Sequence, residues 1–499
     1  MFFVKIKGKR GIMEKSKDTF LDFSGVRTGV TNVRKFYISL AASVVIYFLF
    51  ALTDPIAAYG ELASKALGFF IASILFMVTS GVPLAPIALL VATLGTMIGF
   101  WPWSTVSGKL GSSQLYNMMG MLIVASGCEF TPFGRRVSYW ILKKFGQKPV
   151  RMVIFVGISA AVLSSVISNV AIIILYSSVI NGLLEAMGEK PGESRIGKAI
   201  MCIIPMCACV GGMALFCGSP TGNGASLSFM TGALGDESYA ANFAQWACIS
   251  VPTFLVAIVP CLLIYIKYFR VNNQSCVCLP EEHYDALLKE LGPIGGSEIR
   301  WVIYVVAMVT AMLLGMKGPY AALLFAAFTI FPVIGVAKSG DVIKKLPWNA
   351  LIAICILPLL GNLITDTGIS DWVSTIVNPL LEHGSPFTFS LIAALIMAIL
   401  CNLLVNAMMG TMALVMTVAA PICVSLGYNP TIVLLPAAFA GSYFWCMGAN
   451  QYVAINKDYG WWEMRDPIVP GFAVAILMAI MSAAAACLLG PVFGMPLYL

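Results

Sequence analysis

Uncharged apolar runs of roughly 17 to 25 residues recur along the chain from about Phe36 to Val492, each long enough to cross a hydrocarbon core about 30 Å thick. Short polar stretches separate them. The pattern predicts an all-α polytopic membrane protein with about eleven transmembrane helices. It also contains two segments whose length fits no simple span.

The first of these is the 33-residue uncharged run between Arg151 and Glu185, too long for one straight span and too short for two with a loop. A re-entrant hairpin resolves the length. Its tip falls at Ser164-Ser165-Val166-Ile167-Ser168-Asn169, near the middle, where hydroxyls and an amide can satisfy backbone groups exposed by a turn. Irregular backbone is tolerated at membrane depth only where protein buries it or where it lines a cavity. The second segment, from Pro386 to Cys423, repeats the pattern, with Asn402 and Asn406 near its middle and Pro386 and Pro421 near its ends. Setting Asn169 against Asn406 aligns LSSVISN (Leu163 to Asn169) with LCNLLVN (Leu400 to Asn406), apolar and polar positions largely in step.

An interrupted span follows each hairpin. The 37 uncharged residues from Ala199 to Gly235 would run about 55 Å as one helix, but Gly211-Gly212 and Gly218-Ser219-Pro220-Thr221-Gly222-Asn223-Gly224 make a continuous helix unfavourable. In the second half, Phe444-Trp445-Cys446-Met447-Gly448-Ala449-Asn450-Gln451 interrupts the equivalent span, and Gly212-x-x-x-Phe216-Cys217 shares its spacing with Gly441-x-x-x-Trp445-Cys446. Each half therefore reads hairpin, broken span, whole span.

Charge assigns the sides. With the N-terminus in the cytoplasm and no signal peptide evident, alternation places 27 of the 30 Lys and Arg in the N-terminal tail and the cytoplasmic loops, leaving only Lys65, Lys109 and Lys317 elsewhere. The C-terminus then lies outside. The two hairpins enter from opposite faces, which makes the halves an inverted repeat, the organisation of many secondary transporters. In such folds broken helix ends meet near the midplane, where they coordinate cations and direct positive helix dipoles at anionic groups. The expected division is a basic tail (1–35), four scaffold helices with a cytoplasmic amphipathic segment (36–149), a first repeat (150–270), a cytoplasmic loop (271–299), three further scaffold helices (300–370) and a second repeat (371–499).

Composition narrows the function classes. The chain is 59% apolar and 11% charged, so its net charge of +7 reports topology and contact with anionic lipids, and nucleic acid is not an expected partner. The fourteen cysteines include no C-x-x-C pair. The nearest to a cluster, Cys202, Cys207, Cys209 and Cys217, reads as small apolar packing. Two histidines, His283 and His383, both expected in loops, argue against a zinc enzyme. No nucleophile–base pair or paired carboxylates stand inside the spans, so an enzyme is not expected.

Other polar residues have plainer readings. Asn181 and Asn402 are expected as interhelical hydrogen-bond glue, and Asp366 and Asp371 as interfacial groups. Glu129 should reach the basic loop at Arg135 and Arg136, with proton carriage as the sharper alternative. Trp101, Trp103, Trp301, Trp348, Trp461 and Trp462 fall near span ends as belt residues. The 283–298 stretch is expected to hold a short surface helix.

With these features the chain resembles the divalent anion/sodium symporter family of the ion transporter superfamily, from about residue 36 onward. That family carries Ser-Asn-Thr at both hairpin tips and a Gly-Thr-Pro-Pro-Asn-like break after each hairpin. Here the first tip reads Ser168-Asn169-Val170 and the first break Gly218-Ser219-Pro220-Thr221-Gly222-Asn223. The second tip reads Val405-Asn406-Ala407 and the second break Gly448-Ala449-Asn450-Gln451, losing both tip hydroxyls and the proline.

The resemblance implies a sodium-coupled, elevator-type importer of a small organic anion, a carboxylate, acting as a homodimer in the plasma membrane. It implies substrate contacts from Ser168, Asn169, Val170, Ser219, Thr221, Asn406, Ala407 and Asn450. A first sodium site falls to Ser164, Ser168, Asn169 and Gly218. Cys401, Val405 and Ala449 occupy second-site positions that normally bear oxygen, leaving Asn406 and backbone carbonyls as the remaining ligands. A proton-coupled or exchange carrier, or a cation/proton antiporter of the same superfamily, is the alternative. Hard cations require oxygen ligands, so the second sodium site is expected to be weak or missing. Uptake should then rise with sodium at a Hill coefficient near one, and a coefficient clearly above one would count against the loss.

Overall fold

The computed structural model describes residues 33–60, 62–271, 279–369, 372, 375, 384–403, 408–443 and 456–499. Among them every extended element is helical. The chain opens with α1 (Val33–Thr53), α2 (Ala63–Thr79) and α3 (Leu84–Ile98), followed by a short α4 (Trp103–Leu110) and α5 (Ser113–Ser126). A 3-10 turn (Gly127–Phe130) leads into α6 (Phe133–Phe145), and then come α7 (Pro149–Ser164), α8 (Asn169–Ala186), α9 (Arg195–Gly212), α10 (Pro220–Leu234) and α11 (Phe243–Tyr268). Next are α12 (Glu281–Glu290), α13 (Gly296–Leu313), α14 (Gly318–Ile330), α15 (Ser339–Lys345), α16 (Trp348–Ile356) and α17 (Leu359–Asp366). The final part holds α18 (Pro386–Leu403), α19 (Met408–Ser425), α20 (Pro430–Val433), α21 (Leu435–Tyr443) and α22 (Ile468–Val492).

Eight helices among the described residues are long and apolar enough to cross a membrane, or nine if the pair bent by 61° between Lys345 and Trp348 is one span. The sequence pattern predicts about eleven. The difference lies in shorter apolar helices such as α2, α3 and α14, whose 17, 15 and 13 residues end at capping or breaking positions.

The first hairpin segment is two helices joined by a short break, α7 with α8, and the second contains α18 and α19. Residues 404–407 between them lie outside the described residues. The packing repeats as well: α7 lies along α9 as α18 lies along α21. The halves interlock through α10, which packs on α19, and through contacts of α9 with α21 and of α11 with α22. A second group forms around α1 with α2, α3 with α16, and α5 with α14. The groups meet chiefly along α10, which touches α5, α16 and α17, and along α19, which touches α2 and α17.

Only small residues permit that approach. A Cβ on Gly232 would meet Pro358 O at 2.8 Å, and one on Gly361 would meet Ala233 N at 2.7 Å. Close backbone contact of this kind is how helices associate where apolar burial gives no net drive. All of α10 except Thr221 and Leu234 is buried.

Four of the six tryptophans expected at the headgroup level are instead internal. Trp101, Trp301, Trp461 and Trp462 are buried, whereas Trp103 and Trp348 are exposed as a belt residue would be. Each buried indole N–H has an acceptor: Ala92 O at 3.4 Å for Trp101, Val124 O at 2.9 Å for Trp301, Asn181 Oδ1 at 2.7 Å for Trp461, and Asn456 Oδ1 at 3.0 Å for Trp462. Burial of an indole is tolerable when its N–H is satisfied. Asn181 is thus the glue its position promised. Asn456 also donates to Met201 O at 2.6 Å, which ties the segment after the second break to α9.

Helix α6 is amphipathic and lies between α7 on one side and α12 on the other. His283 belongs to α12 rather than to a loop, and His383 lies outside the described residues. Lys143 pairs with Asp285 of α12 at 2.6 Å, and that hydrogen bond holds its ammonium above the usual lysine range. Arg136 forks onto Glu298, with Nε to Oε2 at 3.0 Å and Nη2 to Oε1 at 3.1 Å, and donates Nη1 to Gly292 O at 2.9 Å. Glu298 is 2% exposed.

Replacing Arg136 by Met would leave that carboxylate buried without a counter-charge, a loss expected to cost about 3–5 kcal/mol. Unfolding of the detergent-solubilised protein reads the cost. A change below about 1 kcal/mol, the range of exposed pairs, would show that the fork does not anchor α6.

Candidate functional site

Helix α7 stops at Ser164 because the next residues turn, with Ser165 N bonded to Ala161 O at 3.1 Å and Ile167 N to Leu163 O at 2.9 Å. Ser168 then caps α8 from extended backbone, and the first intrahelical bond is Ile172 N to Ser168 O at 3.1 Å. The N–H groups of the first turn of α8 accordingly have no partner within the helix. Across from this tip, α9 ends at Gly212. Residues 213–219 leave the helical ladder, and α10 restarts at Pro220, where a missing N–H costs nothing. Its first bond is Asn223 N to Ser219 O at 2.8 Å.

The break frees carbonyls in the protein interior, and side chains cover most of them. Asn223 Nδ2 donates to Gly212 O at 3.1 Å and to Phe216 O at 3.2 Å. Trp246 Nε1 donates to Met213 O at 2.9 Å and Ser250 Oγ to Ala214 O at 2.7 Å. The sequence reading missed Trp246 and Ser250 and gave Asn223 no role of its own. A tryptophan and a serine four apart at the start of a span that follows a break were the available signal.

Gly218 lies where the break packs directly against the backbone of the tip. A Cβ there would lie 2.5 Å from Ser164 O and 2.8 Å from both Gly212 O and Ser165 O. Ser164 Oγ donates to Asn169 Oδ1 at 2.7 Å beside this cluster, and Asn169 sits so close to Gly212 that a Cβ on Gly212 would run into its amide. Ser164 and Asn169 are both buried. An interior pocket of carbonyl and side-chain oxygens matches what a hard cation requires, so the residues present fit sodium. Among the described residues no group of His, Cys, Asp and Glu could hold a transition metal. Cys209 touches the tip as a weak acceptor for Asn169 Nδ2 at 3.8 Å.

A cavity of about 1200 Å³ opens against the same elements. Ser168, Asn169 and Val170 of the tip and Gly218, Ser219 and Thr221 of the break line it together. The N-termini of α8 and α10 therefore face one space, and both favour negative charge there. Farther out the wall includes Glu129, Arg135, His283 and Lys345. Glu129 pairs with Lys345 at 3.1 Å rather than with Arg135 or Arg136, because Arg136 is committed to Glu298 and α15 brings Lys345 to the turn that carries Glu129.

The structure thus brings together Ser164, Ser168, Asn169, Val170, Gly218, Ser219 and Thr221. Asn406, Ala407 and Asn450, with Val405 and Ala449, lie outside the described residues. Of the expected second-site positions, Cys401 is described: it is buried in α18, its thiol 3.8 Å from Met397 Sδ. Neighbouring Asn402 donates to Ala398 O at 2.8 Å in its own helix.

A family model described as citrate transporter matches residues 73–441. The sodium-dependent dicarboxylate transporter SdcS of Staphylococcus saprophyticus is 23% identical over 397 residues, covering 73% of this chain and 74% of that protein. SdcS of Staphylococcus aureus is 22% identical over 433 residues, 81% of each. Among solved structures, Neisseria gonorrhoeae MtrF, described with a class of antimetabolite efflux pumps, superposes with a TM-score of 0.55 at 12% identity over 83% of this chain and 86% of that one. That likeness is one of fold.

A methyl group at residue 218 would occupy the space between three carbonyl oxygens. Gly218→Ala is expected to abolish sodium-dependent thermal stabilisation of the purified protein, whereas Cys217→Ala, which removes only a weak thiol donor to Ser165 O at 3.5 Å and adds no atom to the cluster, should retain it. Stabilisation by sodium unchanged in Gly218→Ala would remove the cluster from consideration as a cation site.

Proposed function

The chain belongs to the citrate transporter family, and on that premise we propose that it is a secondary transporter which carries a small carboxylate-bearing anion and is driven by sodium. It is a membrane transport protein and not an enzyme, as its family and relatives are. The observation that carries the substrate reading is the meeting of two helix N-termini, those of α8 and α10, in one cavity beside a cluster of oxygens.

The chemistry follows from the backbone. First-turn N–H groups of α8 and α10 that have no intrahelical acceptor can donate to a carboxylate, and the hydroxyls of Ser168, Ser219 and Thr221 add donors at the same wall. Each helix end carries roughly half a positive charge. Bound sodium would supply the remaining positive charge, held by the Ser164, Ser165 and Gly212 carbonyls with Asn169 and Ser168 nearby. Cation and anion would then each improve the other's binding, which is a coupling free energy between sites. Asn406, Ala407 and Asn450 are proposed to face the far end of the substrate. The curated relatives are named for dicarboxylates, but Val405 and Ala407 lack hydroxyls where the first tip has one, which favours a substrate with a single strong anionic end.

The packing also supports an elevator in which residues 150–270 and 371–499 move as one body in a homodimer. α10 presents a face of small residues to α16 and α17, whereas hydrogen bonds such as Asn456 to Met201 hold the two repeats to each other. The N-terminus is proposed to be cytoplasmic, in a plasma membrane. Proton carriage by Glu129 is the weaker reading, since its carboxylate is engaged with Lys345.

Proteoliposomes with an inward sodium gradient should accumulate a carboxylate. Transport driven only by a proton gradient or by internal exchange substrate would overturn sodium coupling. In thermal-shift measurements monocarboxylates should stabilise the protein more than dicarboxylates when sodium is present, and equal or reversed shifts would sink the one-ended substrate.

A further inference from the structure

Helices α6 and α7 enclose a groove of about 250 Å³ on the outside of the molecule, away from the large cavity. Trp140, Ile141 and Phe145 of α6 and Phe155, Ile158 and Val162 of α7 line it. Phe145 and Phe155 stack at 3.5 Å with an interplanar angle of 9°, forming one end, while Trp140 at 54% and Val162 at 51% exposure leave the side open. The one polar side chain, Ser159, is already engaged: its hydroxyl donates to Val156 O at 3.0 Å and accepts from Tyr176 at 2.9 Å. The groove offers nothing to a polar ligand and suits a hydrocarbon chain.

Its stripes end in cations. On α7 the wall residues Phe155, Ile158 and Val162 continue at helical spacing back to Arg151, and on α6 Val137, Trp140 and Ile141 continue to Lys144. Lys148 stands in the turn between the two helices. The Lys144 ammonium lies 5.3 Å from the Trp140 ring centroid and 5.6 Å from that of Phe145, directly at the groove. The nearby acids are used on the other side of α6, Asp285 by Lys143 and Glu281 by Gln147. Among the described residues no carboxylate pairs with Lys144, Lys148 or Arg151. Three exposed, uncompensated cations thus cap an apolar slot between an amphipathic helix and its neighbour.

We propose that this groove binds one anionic phospholipid, with an acyl chain between α6 and α7 and the phosphate held by Lys144, Lys148 and Arg151. The occupant is a lipid rather than a free anion because apolar slot and cation cluster form one continuous surface. With the N-terminus cytoplasmic, as proposed above, these cations lie in a basic loop at the cytoplasmic leaflet, where anionic lipids gather. Lipid bound here would brace the outer end of α7, whose inner end carries the hairpin tip. The site stands whether or not the carboxylate reading holds.

Trp140 is a built-in probe. Full-length protein is reconstituted in phosphatidylcholine vesicles containing a minor fraction of brominated phosphatidylglycerol or, in parallel, brominated phosphatidylcholine. The Trp140 contribution is the fluorescence difference between wild type and Trp140→Phe. Phosphatidylglycerol should quench it several-fold more strongly, and the combined Lys144→Gln, Lys148→Gln, Arg151→Gln variant should lose that preference while keeping ordinary quenching by phosphatidylcholine. Equal quenching by the two lipids in the wild type, or a preference that survives in the variant, overturns the site. Should Trp140→Phe fail to fold, native mass spectrometry decides instead: phosphatidylglycerol retained by wild type and released by the triple variant supports the site, and equal retention refutes it.

Discussion

A carbonyl or amide freed in the middle of a membrane has no water to turn to, and each one left unsatisfied costs on the order of several kcal/mol. The interruption between α9 and α10 releases such groups in a place where nearly everything is buried. Asn223, Trp246 and Ser250 satisfy four of the released carbonyls, and the position of α11, which carries two of these side chains, follows from that duty. Around Gly218 the carbonyl oxygens of Ser164 and Ser165 converge with that of Gly212, which also accepts from Asn223. The same broken ladder that would be a defect in an ordinary span concentrates oxygen at one point and turns helix N-termini toward a common space.

Much of this was readable in the residues alone, for a physical reason. Segment length against bilayer thickness is a hard constraint, so the run from Arg151 to Glu185 had to fold back, and the turn falls at the serines and asparagine predicted for it. Pro220 and its neighbouring glycines announced the second interruption equally clearly, because proline and glycine act on their own backbone. What could not be read depends on which residues meet across helices. Four tryptophans near span ends looked interfacial yet are internal, since a span end near the boundary by sequence can be covered by a neighbouring helix in space. Proximity in sequence points Glu129 to Arg135 and Arg136, whereas its partner Lys345 comes from a helix more than two hundred positions away. Asn223 had the right address without a readable task, as its two acceptors exist only once the break has formed.

The halves of the chain resemble one another in order and packing but differ in chemistry. The first tip presents hydroxyls and an amide, and the first break contains a proline that starts a helix without losing a hydrogen bond. Corresponding positions of the second half carry valine, alanine and a break without proline, and the described Cys401 offers sulfur where oxygen would serve a hard cation. A pseudo-symmetric scaffold does not enforce equal sites, because the backbone repeat is maintained by packing while the donors are individual side chains.

The fork between Arg136 and Glu298 shares no residue with the oxygen cluster, yet it limits how the cluster could travel. It fastens the beginning of α6 to the first turn of α13, while the end of α6 runs through Gly146 and Lys148 directly into the hairpin arm α7. The thirteen residues of α6 form a strut about 20 Å long at 1.5 Å per residue. Any displacement of the hairpin relative to α13 must then be absorbed as a bend in the few residues after Phe145, a hinge, or as a swing of the whole strut about its arginine pivot, and the reach of that swing is bounded by the strut's own length.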